Sequence, residues 1–149
     1  MKQLDFPKYT FRFRDKGGKI FIFDFIRKKF VRLTPEEWVR QHLLKYLVKD
    51  KNYPALHINV EKKITLHQTT KRYDAVVYHR NGGIRLIAEC KAPQVPITQA
   101  AFDQIARYNL ATKAELLLLT NGLQHYVCRL DHENGRYRFL GSLPHGGAQ

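Results

Sequence analysis

The chain has 149 residues, 44% of them hydrophobic and 12% aromatic, and its 26 Lys+Arg against 13 Asp+Glu leave a net charge of +13. That length fits one domain with a proper core, and the composition excludes a disordered chain; no apolar run is long enough for a membrane-spanning helix. The charge favours a polyanionic partner through sequence-independent, salt-sensitive phosphate contacts, with a basic surface serving only solubility as the plainer alternative.

The N-terminus, Met1-Lys2-Gln3-Leu4-Asp5, carries an acid early with no apolar run behind it, so no secretory leader is expected and a cytoplasmic address follows. No repeat or linker interrupts the sequence, so 1–149 reads as a single domain with a peripheral segment over 1–19 and a loose tail over 144–149. Residues 10–14 alternate aromatic and basic side chains, the pattern of a strand with one apolar and one cationic face, and Gly17-Gly18 ends it. Stretches 20–25 and 29–33 predict a hairpin turning at Arg27 and Lys28.

Thr34-Pro35-Glu36-Glu37 is a helix start: threonine at the N-cap, proline at the first helical position and a glutamate that closes a capping box. The helix is expected to reach about residue 48, with Val39, Leu43, Leu44 and Leu47 as its apolar stripe. A short strand over 56–60, interrupted at 61–63, precedes 64–66. Two apolar strands follow, 73–79 and 84–90, joined by Arg80-Asn81-Gly82-Gly83. Thr98 then caps a second helix to about residue 110, 115–119 is a continuous apolar run of the kind buried on both faces of a sheet, and 124–130 and 136–140 complete the strands. Cys90 and Cys128 lie in apolar runs without the spacing of a zinc site and read as buried thiols. The order argues for an α/β fold, a central mixed sheet flanked by two helices, with a parallel crossover from 84–90 through the second helix to 115–119.

Asp74 lies early on one central strand, and Glu89, Cys90 and Lys91 close the next. Strand alternation puts Glu89 and Lys91 on one face. Two readings stand side by side. Glu89 and Lys91 pair with each other, and Asp74 with Arg72 or Arg80, as strand-end charges commonly do; or Asp74 and Glu89 aim two carboxylates at one divalent cation, with Lys91 orienting a water or stabilising developing charge.

The arrangement Asp74 then Glu89-Cys90-Lys91 resembles the D…(D/E)xK motif of the PD-(D/E)xK nuclease superfamily. So do the acids of the capped helix, and Gln104-Ile105-Ala106-Arg107-Tyr108 matches the Q-x-x-x-Y motif that some branches carry on the helix after the lysine strand. The run 34–41, then Lys71-Arg72-Tyr73-Asp74, Glu89-Cys90-Lys91-Ala92-Pro93 and Thr120-Asn121-Gly122 is similar to the N-terminal nuclease domain of type I restriction enzyme R subunits, over roughly residues 20–140. The resemblance implies a restriction-endonuclease-like core and a Mg²⁺-dependent (or Mn²⁺-dependent) endonuclease acting on DNA. The implied metal ligands are Asp74, Glu89 and the Cys90 backbone carbonyl, with Lys91 beside the attacking water. It also implies that Gln104 and Tyr108, one helical turn apart, face the site, and that Glu36 or Glu37 reaches toward the metal; the sequence leaves the choice between these two open. Lys71, Arg72, Arg80, Arg12 and Arg14 are candidate phosphate contacts. The chain departs from R subunits in carrying no GxxxxGK[ST] phosphate loop; the partners the resemblance implies are restriction-modification subunits or a helicase motor, with a homologue that has its own target as the other reading. A catalytically silent nucleic-acid-binding or protein-interaction module of the same fold is the alternative, and RNA stands beside DNA as a substrate.

Overall fold

The computed structural model describes residues 1–147. A three-stranded antiparallel sheet comes first, formed by β1 (Phe13–Lys16), β2 (Lys19–Asp24) and β3 (Lys29–Arg32). Gly17 and Gly18 both take positive φ, 61° and 77°, which a two-residue hairpin turn demands and which glycine adopts without a Cβ penalty. The first strand therefore begins at Phe13, later than its aromatic-basic alternation suggested. Phe11 leaves the sheet to pack on Trp38 and His42, with ring centroids 5.3 and 4.9 Å away.

Helix α1 (Pro35–Lys45) starts as its sequence demands: the Thr34 hydroxyl accepts the Glu37 N–H at 3.0 Å. The regular helix stops at Lys45, and the expected remainder is a π-helical turn over Tyr46–Asp50. A six-stranded sheet follows, β4 (Ile58–Leu66), β5 (Thr69–Tyr78), β6 (Ile84–Cys90), β7 (Leu116–Thr120), β8 (His125–Asp131) and β9 (Arg136–Leu140), in that spatial order. Helix α2 (Gln99–Asn109), capped by the Thr98 hydroxyl, carries the chain from β6 to a parallel β7, while every other neighbouring pair is antiparallel. The expected mixed sheet with a parallel crossover is what forms.

The two helices cover opposite faces of this sheet. Val39, Leu43, Leu44 and Leu47 of α1 pack with Ala75, Val77, Leu86, Ala88 and Leu118, and Phe102 and Ala106 of α2 pack with Val76, Ile87, Leu117 and Cys128. All five β7 residues are buried, which explains their unbroken apolar run. Cutting Leu43 back to alanine would cost about 2–5 kcal/mol. The N-terminal stretch is tied in: Leu4 is buried, the Asp5 N–H donates to Gly122 O at 2.7 Å, and Trp38 Nε1–H donates to Lys2 O at 2.8 Å. The described part of the expected loose tail is also bonded, with Tyr53 Oη–H donating to Pro144 O at 2.7 Å and the Gly146 N–H to Lys51 O at 2.7 Å; positions 148 and 149 lie outside the described residues. Among the described residues no helix is long and apolar enough to cross a membrane.

Candidate active site

The site is built where the β5–β6 ladder opens. Pairing runs to Ala75 opposite Ala88; one step further the Asp74 Oδ2 accepts the Cys90 N–H at 2.7 Å. The carboxylate of one strand thus bonds the backbone of the next, one residue past Glu89. On the other side of β6, parallel β7 sets Glu89 beside Leu119 and Cys90 beside Thr120.

The two carboxylates are paired differently. Among the described residues Asp74 pairs with one cation, Arg40, whose Nη1 lies 3.4 Å from Oδ1. Burial pushes its carboxyl up to about 6; the Cys90 N–H and Arg40 work against that, and the charges of Glu36 and Glu89 reinforce it. Glu89 is buried, its Oε1 3.0 Å from the Lys71 ammonium, while Oε2 is enclosed with no hydrogen-bond partner among the described residues. A buried carboxylate oxygen left without a donor is costly, so a water or a cation seated there would be stabilising.

The two first-helix acids separate. Glu37 is buried and accepts from Arg40 Nη2 and Nε at 2.5 and 3.0 Å, from Gln41 Nε2 at 2.9 Å and from Arg27 Nη2 at 3.2 Å. Burial raises its carboxyl, but these donors outweigh it and hold it below the usual carboxylate range. Glu37 is spent on this network and is not turned to Asp74. Glu36 is exposed, and it is the acid whose charge acts on Asp74. No Glu36–Arg40 pair forms among the described residues, because Arg40 is taken by Glu37, Glu61 and Asp74.

The remaining candidates divide. Lys91 is exposed just beyond β6, its N–H bonded to Thr120 O at 2.8 Å, and it forms no ion pair among the described residues. The plain strand-end pairing of Glu89 with Lys91, and of Asp74 with Arg72 or Arg80, is therefore not what forms. Cys90 has its thiol buried and raised well above the ordinary value by that burial, so it is no nucleophile; only its backbone remains a ligand candidate. Tyr108 meets the site through Lys71, whose ammonium lies 5.2 Å from the Tyr108 ring and 5.1 Å from that of Tyr73. Gln104 is exposed on α2, one turn before it, and makes no hydrogen bond among the described residues.

The basic candidates fall in three places. Lys71 and exposed Arg72 flank the carboxylates on β5. Arg12 and Arg14 lie over the Phe23 and Phe30 rings of the small sheet, at 4.5 and 4.1 Å. Arg80 lies past the far end of β5, six residues and about 20 Å along the strand from Asp74, beside a cavity lined by Tyr53, His57 and Arg85.

Sequence reasoning missed Arg40 as a partner of Asp74, and it missed Glu61. The strand interruption expected at 61–63 is Glu61 itself, at φ 57°, between the pairs Val60–Ala75 and Lys62–Tyr73 and so opposite Asp74. Its carboxylate lies 3.2 Å from Arg40 Nη2 and 3.5 Å from Arg27 Nη1. A left-handed, non-glycine residue inside a strand was foreshadowed only by the charged Glu61-Lys62-Lys63 break.

Hard oxygen donors suit a divalent cation such as Mg²⁺, which takes one or two carboxylates and completes its shell with water and phosphate oxygens. Asp74 and Glu89 fit that requirement, since one is under-neutralised and the other has an orphaned oxygen. No three His, Cys, Asp or Glu side chains among the described residues form a ready-made cage.

A family model described as the type I restriction enzyme R protein N terminus matches residues 35–144, from the start of α1 to beyond β9, leaving the three-stranded sheet outside the match. A solved fragment described as a candidate HsdR subunit of a type I restriction enzyme from Vibrio vulnificus YJ016 is 19% identical with a TM-score of 0.53, covering 76% of this chain and 24% of that one. This chain thus spans about a quarter of that structure's length, and at such identity the likeness is one of fold. A protein described as a candidate nuclease from Anabaena variabilis ATCC 29413 is 15% identical over 86% of this chain and 75% of that one; its TM-score of 0.46 is too low to carry an argument. No curated protein matches the chain.

Proposed function

The chain belongs to the type I restriction enzyme R protein N-terminus family, and from that membership we propose that it is a Mg²⁺-dependent endonuclease unit that hydrolyses DNA phosphodiester bonds. The observation that carries the reading is the pair Asp74 and Glu89 on adjacent strands, with the Asp74 carboxylate bonded to the Cys90 N–H and raised by burial and with one Glu89 oxygen enclosed without a hydrogen-bond partner among the described residues.

In this reading Asp74, Glu89 and the Cys90 carbonyl hold Mg²⁺ or Mn²⁺. Such an ion polarises a phosphoryl oxygen and lowers the pKa of a bound water. Arg40 and the Cys90 N–H hold the Asp74 carboxylate on both oxygens, so its orientation is set before any ligand arrives. Lys91 stands free beyond β6 to steady the attacking water or the charge that builds on the phosphoryl group. Arg72 adds a phosphate contact beside the carboxylates, and the +13 charge draws the polyanion in regardless of sequence. Restriction-modification subunits, or a helicase motor, would bring the unit to its DNA.

The test is supercoiled plasmid incubated with and without Mg²⁺ or Mn²⁺, using wild type, Asp74→Ala and Lys91→Ala. Metal-dependent nicking by wild type alone is the expected result. Equal nicking by all three contradicts the assignment of these residues. Salt-dependent DNA binding without cleavage at any enzyme concentration would make the chain a silent binding module instead.

A further inference from the structure

We propose that Lys71 competes with the metal ion for Glu89, and that Tyr73 and Tyr108 are the clamp that sets the strength of this competition. The inference rests on the reading of Asp74 and Glu89 as the metal pair.

Glu89 has one oxygen enclosed, and the other lies 3.0 Å from the Lys71 ammonium. A cation approaching Glu89 from solvent therefore meets the oxygen that Lys71 holds. The lysine is not a loose surface charge. Its ammonium lies 5.1 Å from the Tyr73 ring and 5.2 Å from the Tyr108 ring, so one carboxylate and two aromatic faces seat a single cation. Tyr73 is itself fixed, fully buried and donating its Oη–H to Asn109 Oδ1 at 2.7 Å, which anchors the seat to α2. The Lys71 backbone pairs with Ile64 in the sheet, while its side chain keeps 31% exposure. The ammonium can therefore swing outward on its four-carbon stem without disturbing the strand. A metal ion and Lys71 cannot both neutralise the same oxygen at contact distance, so loading the ion releases a lysine three residues from Asp74, where a DNA phosphate could take it up.

Arg72 supplies an internal control: it is the next residue on β5 and carries the same charge, but it is exposed and forms no ion pair or ring contact among the described residues. General charge repulsion would make its removal count as much as that of Lys71. Competition for Glu89 would not.

The experiment is calorimetric titration of Mn²⁺ into wild type, Lys71→Met, Tyr108→Leu, Arg72→Met and Asp74→Asn at pH 8 without DNA. It is joined by lysine acylation mapped by mass spectrometry with and without Mn²⁺. Lys71→Met should bind Mn²⁺ about five- to tenfold more tightly than wild type, from the loss of a half-buried ion pair. Tyr108→Leu should fall between them, and Arg72→Met should stay within about twofold of wild type. Acylation of Lys71 in wild type should rise when Mn²⁺ is added. If Lys71→Met binds no more tightly than Arg72→Met, or if Mn²⁺ leaves Lys71 as protected as before, the competition is refuted. Binding by wild type that is lost in Asp74→Asn but unchanged in Lys71→Met overturns this inference alone; no binding by any protein overturns both it and the metal reading.

Discussion

Two groups of carboxylates, linked where Arg40 lies between Glu37 and Asp74, differ in how they are neutralised. Asp24 and Glu37 are as sequestered as any acid in the molecule, yet both are held below the ordinary carboxylate range. Asp24 accepts from the Ile26 and Arg27 N–H groups, from Arg27 Nε at 2.7 Å and from Gln41, and Glu37 from Arg27, Arg40 and Gln41. Asp74, somewhat more exposed, is pushed up to about 6, and Glu89 keeps an unpaired oxygen. Burial alone does not separate the groups. Neutralisation does, and it marks the first as scaffold and the second as the pair we propose to hold a cation. The scaffold group draws Asp24 and Arg27 from the small sheet outside the family match, so that sheet braces the α1 face of the site.

The largest effect should come from breaking the scaffold. Asp24→Ala removes the buried acceptor shared by the Ile26 and Arg27 N–H groups, Arg27 Nε and Gln41, and should cost about 3–5 kcal/mol in denaturant unfolding. A loss below about 1 kcal/mol would show that the network adds little to the fold. Next in size is the pH dependence of metal binding. Because Asp74 takes up a proton near pH 6, Mn²⁺ affinity should be level above that value and fall about tenfold per unit below it, as read by calorimetry. A level profile down to pH 4.5 would remove Asp74 from the ligand set.

A smaller effect, opposite in sign to that of Asp24, is expected for Asp74→Asn. A raised carboxyl contributes stability that is complete below its unfolded value near 4 and is lost as pH rises through about 6, so at pH 8 charged Asp74 is a cost. The asparagine should leave stability unchanged or raise it by about 1 kcal/mol at pH 8. Smallest of all, Glu36→Gln should lower the Asp74 midpoint by about half a unit in a carboxyl NMR titration, because one repulsive surface charge is gone.

Much of the scaffold was legible because its signals are local. Thr34-Pro35 and Thr98 cap their helices, Gly17-Gly18 turns a hairpin, and the apolar run of β7 belongs in the middle of a sheet. The β4–β5 hairpin was not legible as one, since His67 and Gln68 both take positive φ where no glycine or asparagine announces a turn. Asp74, Glu89 and Lys91 were readable as a spacing, but their electrostatic state was not. It depends on Arg40, which lies 34 positions before Asp74, and on Lys71, which takes Glu89 where Lys91 was the neighbour in sequence. The different surroundings of Glu36 and Glu37 likewise depend on Arg27, a side chain that reaches Glu37 from the turn between β2 and β3.

The most direct test exchanges the acids one at a time in a single Mn²⁺-dependent plasmid-nicking assay. Asp74→Asn and Glu89→Gln should abolish nicking while remaining folded, and Glu37→Gln should nick at the wild-type rate per folded molecule. Loss of nicking in Glu37→Gln with survival in Asp74→Asn would contradict the division between scaffold and site.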